Sequence, residues 1–480
     1  MKTDYDLFID GRWVKPGARF EVRVPYDGAI FGTVPKASRT EVEQAITAAK
    51  RATPAAARMP SHKRYEILMK AATLMQQRTE DFARAIASES GKPIREARGE
   101  VGRSVQTLIF SAEEAKRNVG EMVPMDAHPG GADRLGFTLR MPRGVIAAIT
   151  PFNFPLNLVC HKIGPALAGG NTVVHKPASS TPICGYMLAE LFAEAGLPAG
   201  FPNTISGGGG EVGDFLVAHL DVAMVTFTGS AEVGKHIRAV AGMKPVTLEL
   251  GANCAAIVDS DADMELALGR CATGGFAHSG QVCIHLQRIY VAGEVAGDFT
   301  DALRSRVAAF RIGHPLDEAS DVTSLIDEPN AARVTDWITE AERGGARKLI
   351  GGERVGRATV TPAILSGTQP DMKAVADEIF GPVVCVEAFD SIERAVEMVN
   401  RSRYGLQAGV FTRDINKALW AAQRIECGGV MINDVPTFRV DQMPYGGVKD
   451  SGVGREGPRY ALQEMTETKT VVINLTGAPK

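Results

Sequence analysis

The 480-residue sequence has no basic run, and its formal charge is only -3. A nucleic-acid footprint needs clustered Lys and Arg, so no nucleic-acid partner is expected. Long apolar runs are missing too. The most apolar stretch, Val145 to Cys160, is broken by Pro151, Asn153, Pro155 and Asn157, so no membrane association is expected. The opening MKTDYDLFID has early acidic residues and no apolar core, unlike a secretory signal. Seven cysteines, odd in number and without a CxxC pair, argue against a disulfide framework and a zinc ribbon, and no metal is expected. Repeats and low-complexity tracts are absent. What is present, 45% hydrophobic and 23% charged residues, is ordinary for a globular chain. The length suggests about three domain-sized units, and the whole reads as a reduced, cytoplasmic protein.

From Glu41 to Lys116 the sequence is Ala-rich and charged, with apolar residues three and four apart, which predicts helices. Ser61 is placed to cap one through Met75, and Pro93 precedes a second over Ile94 to Asn118. After Val145 the rhythm changes. Short β-rich runs (Val145–Ile149, Thr172–His175, Ala223–Thr228, Val246–Glu249, Ala255–Val258) alternate with helical stretches such as Pro182–Ala195 and Ala231–Val240. That alternation predicts βαβ units and a mostly parallel sheet. A second such series runs to about Met431, so two α/β domains in broad contact are expected. Gly120–Thr138 and Glu464–Leu475 fit neither series. The latter alternates Thr466, Thr468 and Thr470 before Val471 to Ile473, a strand suited to pairing with another chain.

Cys283 sits in GQVC, with glycines at 274, 275 and 280 before it. A cysteine on such a turn can present both its thiol and its backbone N–H to a ligand. The other six cysteines lie in apolar contexts and read as packing residues. Glu249 ends the strand-like run VTLELG, where a buried carboxylate is expensive without a partner or a task. Asn153, between two prolines in TPFNFP, is an amide able to donate to an oxyanion, or simply a turn residue. Phe227-Thr-Gly-Ser-Ala-Glu-Val-Gly234 follows a strand and opens a helix, a place for a pyrophosphate, although it is not GxGxxG. Lys176 and Ser179 follow a strand where a ribose-reading group is expected.

Taken together, TPFNFP, HKPASS, FTGSAEVG, LELG, GQVC, EIFGPV and PYGGVKDSGVGREG resemble the aldehyde dehydrogenase superfamily in kind and order, over essentially the whole chain. Asn153 and Cys283 stand 130 residues apart, and Glu249 and Cys283 34 apart, as the resemblance requires. It implies an α/β fold with a Rossmann-type cofactor domain, an α/β catalytic domain and a small β oligomerisation arm. The expected boundaries are 1–120 and 139–251 for the cofactor domain, with 441–460 packing back, 252–440 for the catalytic domain, and 121–138 with 461–480 for the arm.

The same resemblance implies Cys283 as nucleophile, Glu249 as general base and Asn153 as oxyanion donor. It implies cofactor contacts from Thr150, Phe152, Lys176, Ser179, Gly209, Gly229, Ser230, Gly234, Leu250, Gly251, Glu378 and Phe380. Glu456 matches a second acidic position and is read as structural. The implied activity is oxidation of an aldehyde to its acid with NAD(P)+. NADP is expected to be tolerated, because members selective for NAD often have a glutamate where Ser179 stands. Asn157 and His161, four apart on one helix face, suggest a short polar substrate. Arg103, Arg439 and His285 are further candidates for substrate contact, the arginines for an anionic head. Against this, Arg103 is equally suited to pairing with Glu100 or Asp441, and His161 to a core position. The alternatives are a coenzyme A-acylating semialdehyde dehydrogenase, which usually lacks the Glu249 carboxylate, and a sulfo-, phosphono- or semialdehyde dehydrogenase. A cysteine hydrolase using His278 or His285, or a non-catalytic relative, ranks behind both. The implied assembly is a homodimer or homotetramer.

Overall fold

The computed structural model describes residues 1–477, so positions 478–480 of the expected arm lie outside the described residues. Two short antiparallel hairpins open the chain, Leu7–Ile9 with Arg12–Val14 and Arg19–Arg23 with Ile30–Pro35. Four helices follow: Arg39–Arg58, Ser61–Gln77, Thr79–Ser90 and Ile94–Ala115. The first begins with a capping box, in which Ser38 Oγ accepts from Thr40 N–H and Glu41 accepts from Ser38 N–H at 2.7 Å. Ser61 does not cap the second helix. Pro60 holds the cap position without a side-chain bond, and Ser61 is already helical. The helix from Ile94 stops at Ala115, short of Asn118.

Two large sheets carry the rest. In the first, neighbouring strands run in the order Arg12–Val14, Leu7–Ile9, Pro202–Thr204, Thr172–Lys176, Val145–Ile149, Val222–Thr228, Val246–Glu249 and Gly452–Val453. The five strands from Pro202–Thr204 to Val246–Glu249 are parallel. The chain starts at Val145, builds outward to Pro202, then returns to the other flank at Val222, leaving a topological switch point beside Val145–Ile149. In the second sheet the order is Arg347–Ile350, Ala363–Ser366, Val383–Phe389, Leu286–Ala292, Cys254–Val258, Gln407–Phe411 and Gly429–Ile432, all parallel after the first. Strands such as Val145–Ile149 and Cys254–Val258 are buried along their whole length, which is why they read as unbroken apolar runs. A small third sheet pairs Thr466–Asn474 with Arg134–Pro142 and Met122–Val123. The terminal strand thus pairs within its own chain along one edge, from Thr466 opposite Pro142 to Asn474 opposite Arg134. Among the described residues no helix is long and apolar enough to cross a membrane.

Two helices that lack caps of their own borrow them. Glu89 accepts from the N–H groups of Ile183 and Cys184 at 2.8 and 3.1 Å, starting Ile183–Ala195. Glu100 accepts from Leu156 and Asn157 at 3.0 and 3.1 Å, starting Asn157–Ala168. A carboxylate satisfies free helical N–H groups and favours the positive end of the helix dipole. The Glu100 charge is itself held by buried Lys92. Glu100→Ala therefore leaves Lys92 without a counter-charge and the helix without a cap, and should lower folding stability by about 3–5 kcal/mol. Urea unfolding of the two proteins measures the difference.

Candidate active site

The carboxyl ends of the first sheet face the amino ends of second-sheet strands across a cavity of about 810 Å³. Thr150, Phe152 and Asn153 enter it from the loop after Val145–Ile149, Gly229 and Ser230 after Val222–Thr228, and Leu250 and Gly251 after Glu249. From the second sheet come Cys283, just before Leu286–Ala292, and Glu378 and Phe380, just before Val383–Phe389. Lys176 and Gly209 complete the expected residues on its lining. Ser179, Gly234, Arg103, Asn157, His161, His285 and Arg439 are not on it.

Cys283 is half-buried, unlike the five fully buried cysteines; Cys427 is the other half-buried one. Its turn is built from strained backbone, with His278 and Ser279 left-handed at φ 46° and 54°. Gly280, at φ 74°, has no room for a side chain, because a Cβ would lie 2.0 Å from Gly381 O. This close approach joins the Cys283 turn to the Glu378–Phe380 loop. Asn153 Nδ2 donates to Gln281 O at 2.9 Å, which fixes the amide beside the turn and leaves its second N–H available. Neither Glu249 oxygen has a partner, although the residue is buried. Burial, reinforced by the Glu456 carboxylate, raises its carboxyl well above the usual range. The Cys283 thiol is likewise pushed up by burial, to about 11. Its hydrogen-bond partner is the Tyr445 hydroxyl at 2.8 Å, a residue to which the sequence reading gave no role.

Opposite the thiol the cavity wall is suited to an anion. Ser230 caps the helix Ala231–Ala241 by accepting from Val233 N–H at 3.4 Å, so the earlier amides of that helix face the cavity. Gly234 lies against Leu250, where a Cβ would stand 2.5 Å from Leu250 Cδ2, so it serves close packing of helix on strand. Lys176 is buried, has no carboxylate partner, and is brought down by burial to about 8. Ser179 is exposed and donates to Gly207 O at 3.1 Å. Glu378 accepts from Ala252 N–H at 3.0 Å, and burial raises it to about 8. The Phe152 and Phe380 rings meet edge to face at 5.7 Å, with Phe380 left-handed at φ 46°.

The sequence profile described as the aldehyde dehydrogenase family matches residues 13–471. The chain belongs to the aldehyde dehydrogenase family. It is 47% identical over 471 residues to a 3-sulfolactaldehyde dehydrogenase of Priestia aryabhattai, covering 98% of each protein. Its fold matches the crystal structure of aldehyde dehydrogenase 21 from Physcomitrella patens in complex with the product succinate, with a TM-score of 0.97, 37% identity and full coverage of both chains. It also matches the glyceraldehyde-3-phosphate dehydrogenase GapN of Methanocaldococcus jannaschii complexed with NADP, with a TM-score of 0.92 and 39% identity over 96% of this chain and 100% of that one.

In this aldehyde dehydrogenase the polar side chains beyond the cavity form one network. Asp441 accepts from Arg103 at 2.8 Å and Asn157 at 2.9 Å, and lies 3.0 Å from His161 Nε2. Glu456 accepts from Lys162 at 2.7 Å and Arg439 at 3.2 Å, all three deeply buried. Arg439 also lies 3.2 Å from His161 Nε2 and 3.6 Å over the Tyr445 ring. Arg103 is thus engaged by Asp441, not by Glu100. His285 does not reach the site: its Nε2 bonds Gly275 O at 2.8 Å, and burial lowers it to about 4, as for a core histidine. His278 has no partner on either ring nitrogen and does not contact the thiol, so no Cys/His pair exists here.

Burial raises Asp441, but His161 and Arg103 outweigh it and hold the carboxyl below the usual range. Its folded value lies below the unfolded one of about 3.9, so the stability it contributes is present above that value and lost as pH falls. The stability difference between wild type and Asp441→Asn should therefore shrink between about pH 5 and pH 2, which acid-dependent urea unfolding checks.

Proposed function

We propose that this enzyme oxidises a short polar aldehyde to its carboxylic acid with NAD(P)+, through a thioester on Cys283 that water hydrolyses. The carrying observation is that a half-buried thiol, a free Asn153 N–H and an unpartnered buried carboxylate, Glu249, open on one cavity whose other wall is a helix N-terminus. The wall fits the cofactor: the helix amides at Ala231 suit a pyrophosphate, Lys176, with Ser179 three residues on and off the lining, a ribose, and Glu378 and Phe380 the nicotinamide ribose and ring. When bound, the nicotinamide supplies the hydride acceptor that turns the tetrahedral adduct into the thioester.

The chain's own residues do the remaining work. The Cys283 thiolate attacks the carbonyl carbon, and the Asn153 amide and Cys283 N–H stabilise the oxyanion. Glu249 then takes a proton from water as the water adds to the thioester carbon, and the Cys283 thiolate leaves. The Glu249 carboxylate favours this hydrolysis over transfer to coenzyme A. Because Ser179 places no negative charge beside the ribose, NADP is accepted, as in the NADP complex of the Methanocaldococcus relative.

A second reading, an anionic head on the substrate, is favoured by the charge balance. Four cations, Arg103, Lys162, Arg439 and Arg455, surround three carboxyl groups, Asp441, Glu456 and Glu249, and buried Arg439 Nε has no partner. The excess is cationic, which suits a sulfonate, phosphonate or carboxylate, and a relative is a 3-sulfolactaldehyde dehydrogenase. We further assign residues 1–120 and 139–251, with 441–460, to cofactor binding, 252–440 to catalysis and the third sheet to assembly as a dimer or tetramer. The pairing of Gly452–Val453 beside Val246–Glu249 supports the first assignment. Unpaired cysteines throughout fit a cytoplasmic location.

Cofactor reduction with lactaldehyde, glyceraldehyde, succinate semialdehyde, sulfo- and phosphonoacetaldehyde and hexanal tests the reading. Turnover of a polar aldehyde should vanish in Cys283→Ala; no turnover with any aldehyde, or full activity in the variant, overturns it. Glu249→Gln should retain a burst of reduced cofactor while kcat falls about 100-fold or more. Since the raised carboxyl becomes a base only as pH rises, wild-type kcat should climb with pH and the variant's should not. Ser179→Glu should weaken NADP use roughly tenfold relative to NAD, a difference of about 1.4 kcal/mol, read as the ratio of kcat/KM values.

A further inference from the structure

We propose that Tyr445 is a further catalytic residue: its phenol donates a hydrogen bond to the Cys283 sulfur, fixing the side chain and stabilising the thiolate, while Arg439 stacked on the ring strengthens the donor. This rests on the reading of Cys283 as nucleophile.

The geometry is specific. The hydroxyl lies 2.8 Å from Sγ, and the Arg439 guanidinium stands 3.6 Å over the ring. A cation on the face of a phenol draws electron density from it. The backbone leaves Tyr445 little freedom, because its N–H donates to Glu456 O at 3.1 Å and its carbonyl accepts from Glu456 N–H at 2.6 Å. Glu456 in turn holds Arg439, so ring and cation are set by one residue. The groups acting on the thiol are Tyr445 and Arg439, which favour the thiolate, and Glu378 and Glu249, which oppose it; the Cys254 sulfur is also near. The phenol is itself shifted well upward by burial and by the sulfur, so it keeps its proton while the thiol loses its own to water.

The bond helps because the thiolate is scarce. Burial pushes the thiol up to about 11, so near neutral pH the protonated form dominates. Raising the thiol by one pH unit lowers that fraction tenfold but raises intrinsic nucleophilicity only roughly threefold, at a Brønsted slope of about 0.4–0.5. Abundance outweighs strength, so losing the donor slows attack.

The test is thiol exchange at Cys283 with 4,4′-dithiodipyridine between pH 6 and 10, using Cys283→Ala to subtract the other cysteines. Tyr445→Phe keeps the ring under Arg439 and removes only the donor. It should react roughly threefold more slowly across the range. Replacing Tyr445 by 3-fluorotyrosine, a stronger donor, should speed exchange over the same range, and it serves equally if the Phe protein does not fold. An unchanged or faster rate in Tyr445→Phe, or an unchanged or slower rate in the fluorinated protein, overturns the proposal. Exchange needs no aldehyde, so persistent oxidation by Cys283→Ala would instead sink the function reading and leave this result standing.

Discussion

Charge compensation out of water is the constraint on which the site depends. Lys162, Arg439, Glu456 and Asp441 are all removed from solvent, and each ion left alone would cost several kcal/mol. The two carboxylates come from one late segment that returns from the second sheet to the first. It brings Asp441 to Arg103, Asn157 and His161, and Glu456 to Lys162, then adds Gly452–Val453 to the first sheet. Asn153 and Glu249 belong to the first sheet and Cys283 to the second. The segment thereby locks the relative position of groups that share no strand.

The cavity divides its chemistry by means. On the cofactor side the recognition elements are mostly backbone: the helix amides after Ser230 and the Gly209 turn, together with glycines that let groups approach. Gly251 is the clearest, since a Cβ there would lie 2.0 Å from a Glu378 oxygen. On the reaction side the elements are side chains whose charged forms burial disfavours, Cys283 and Glu249. For both, burial makes the charged form costly, so an isolated buried charge is disfavoured in each case.

Much of this was legible in the sequence because it is local. Val145–Ile149 and Val246–Glu249 appear with the expected bounds, and Thr172–His175 differs by one residue, since βαβ strands buried on both faces show as apolar runs. Cys283 stood out from the other cysteines by its glycine context, and the structure places it on the cavity between the two sheets. What could not be read was long-range. The caps from Glu89 and Glu100 join residues 94 and 56 positions apart, and Lys162 meets Glu456 across 294. His285 looked available because it is two residues from Cys283, but a strand beginning at Leu286 turns it into the core. The first hairpin escaped notice because its strands, three residues each, are too short to show a period.

The terminal strand pairs along one edge only, which leaves a nine-residue stretch, Thr466 to Asn474, with outward N–H and C=O groups unmatched over roughly 30 Å. Glu467 and Lys469 stand on it as charges of opposite sign, spaced to discourage indiscriminate strand addition. A copy that does pair there recognises the folded strand and not the unfolded chain. Were copies to associate at that edge, folding would be tied to mass action, and dilution alone would lower the melting temperature.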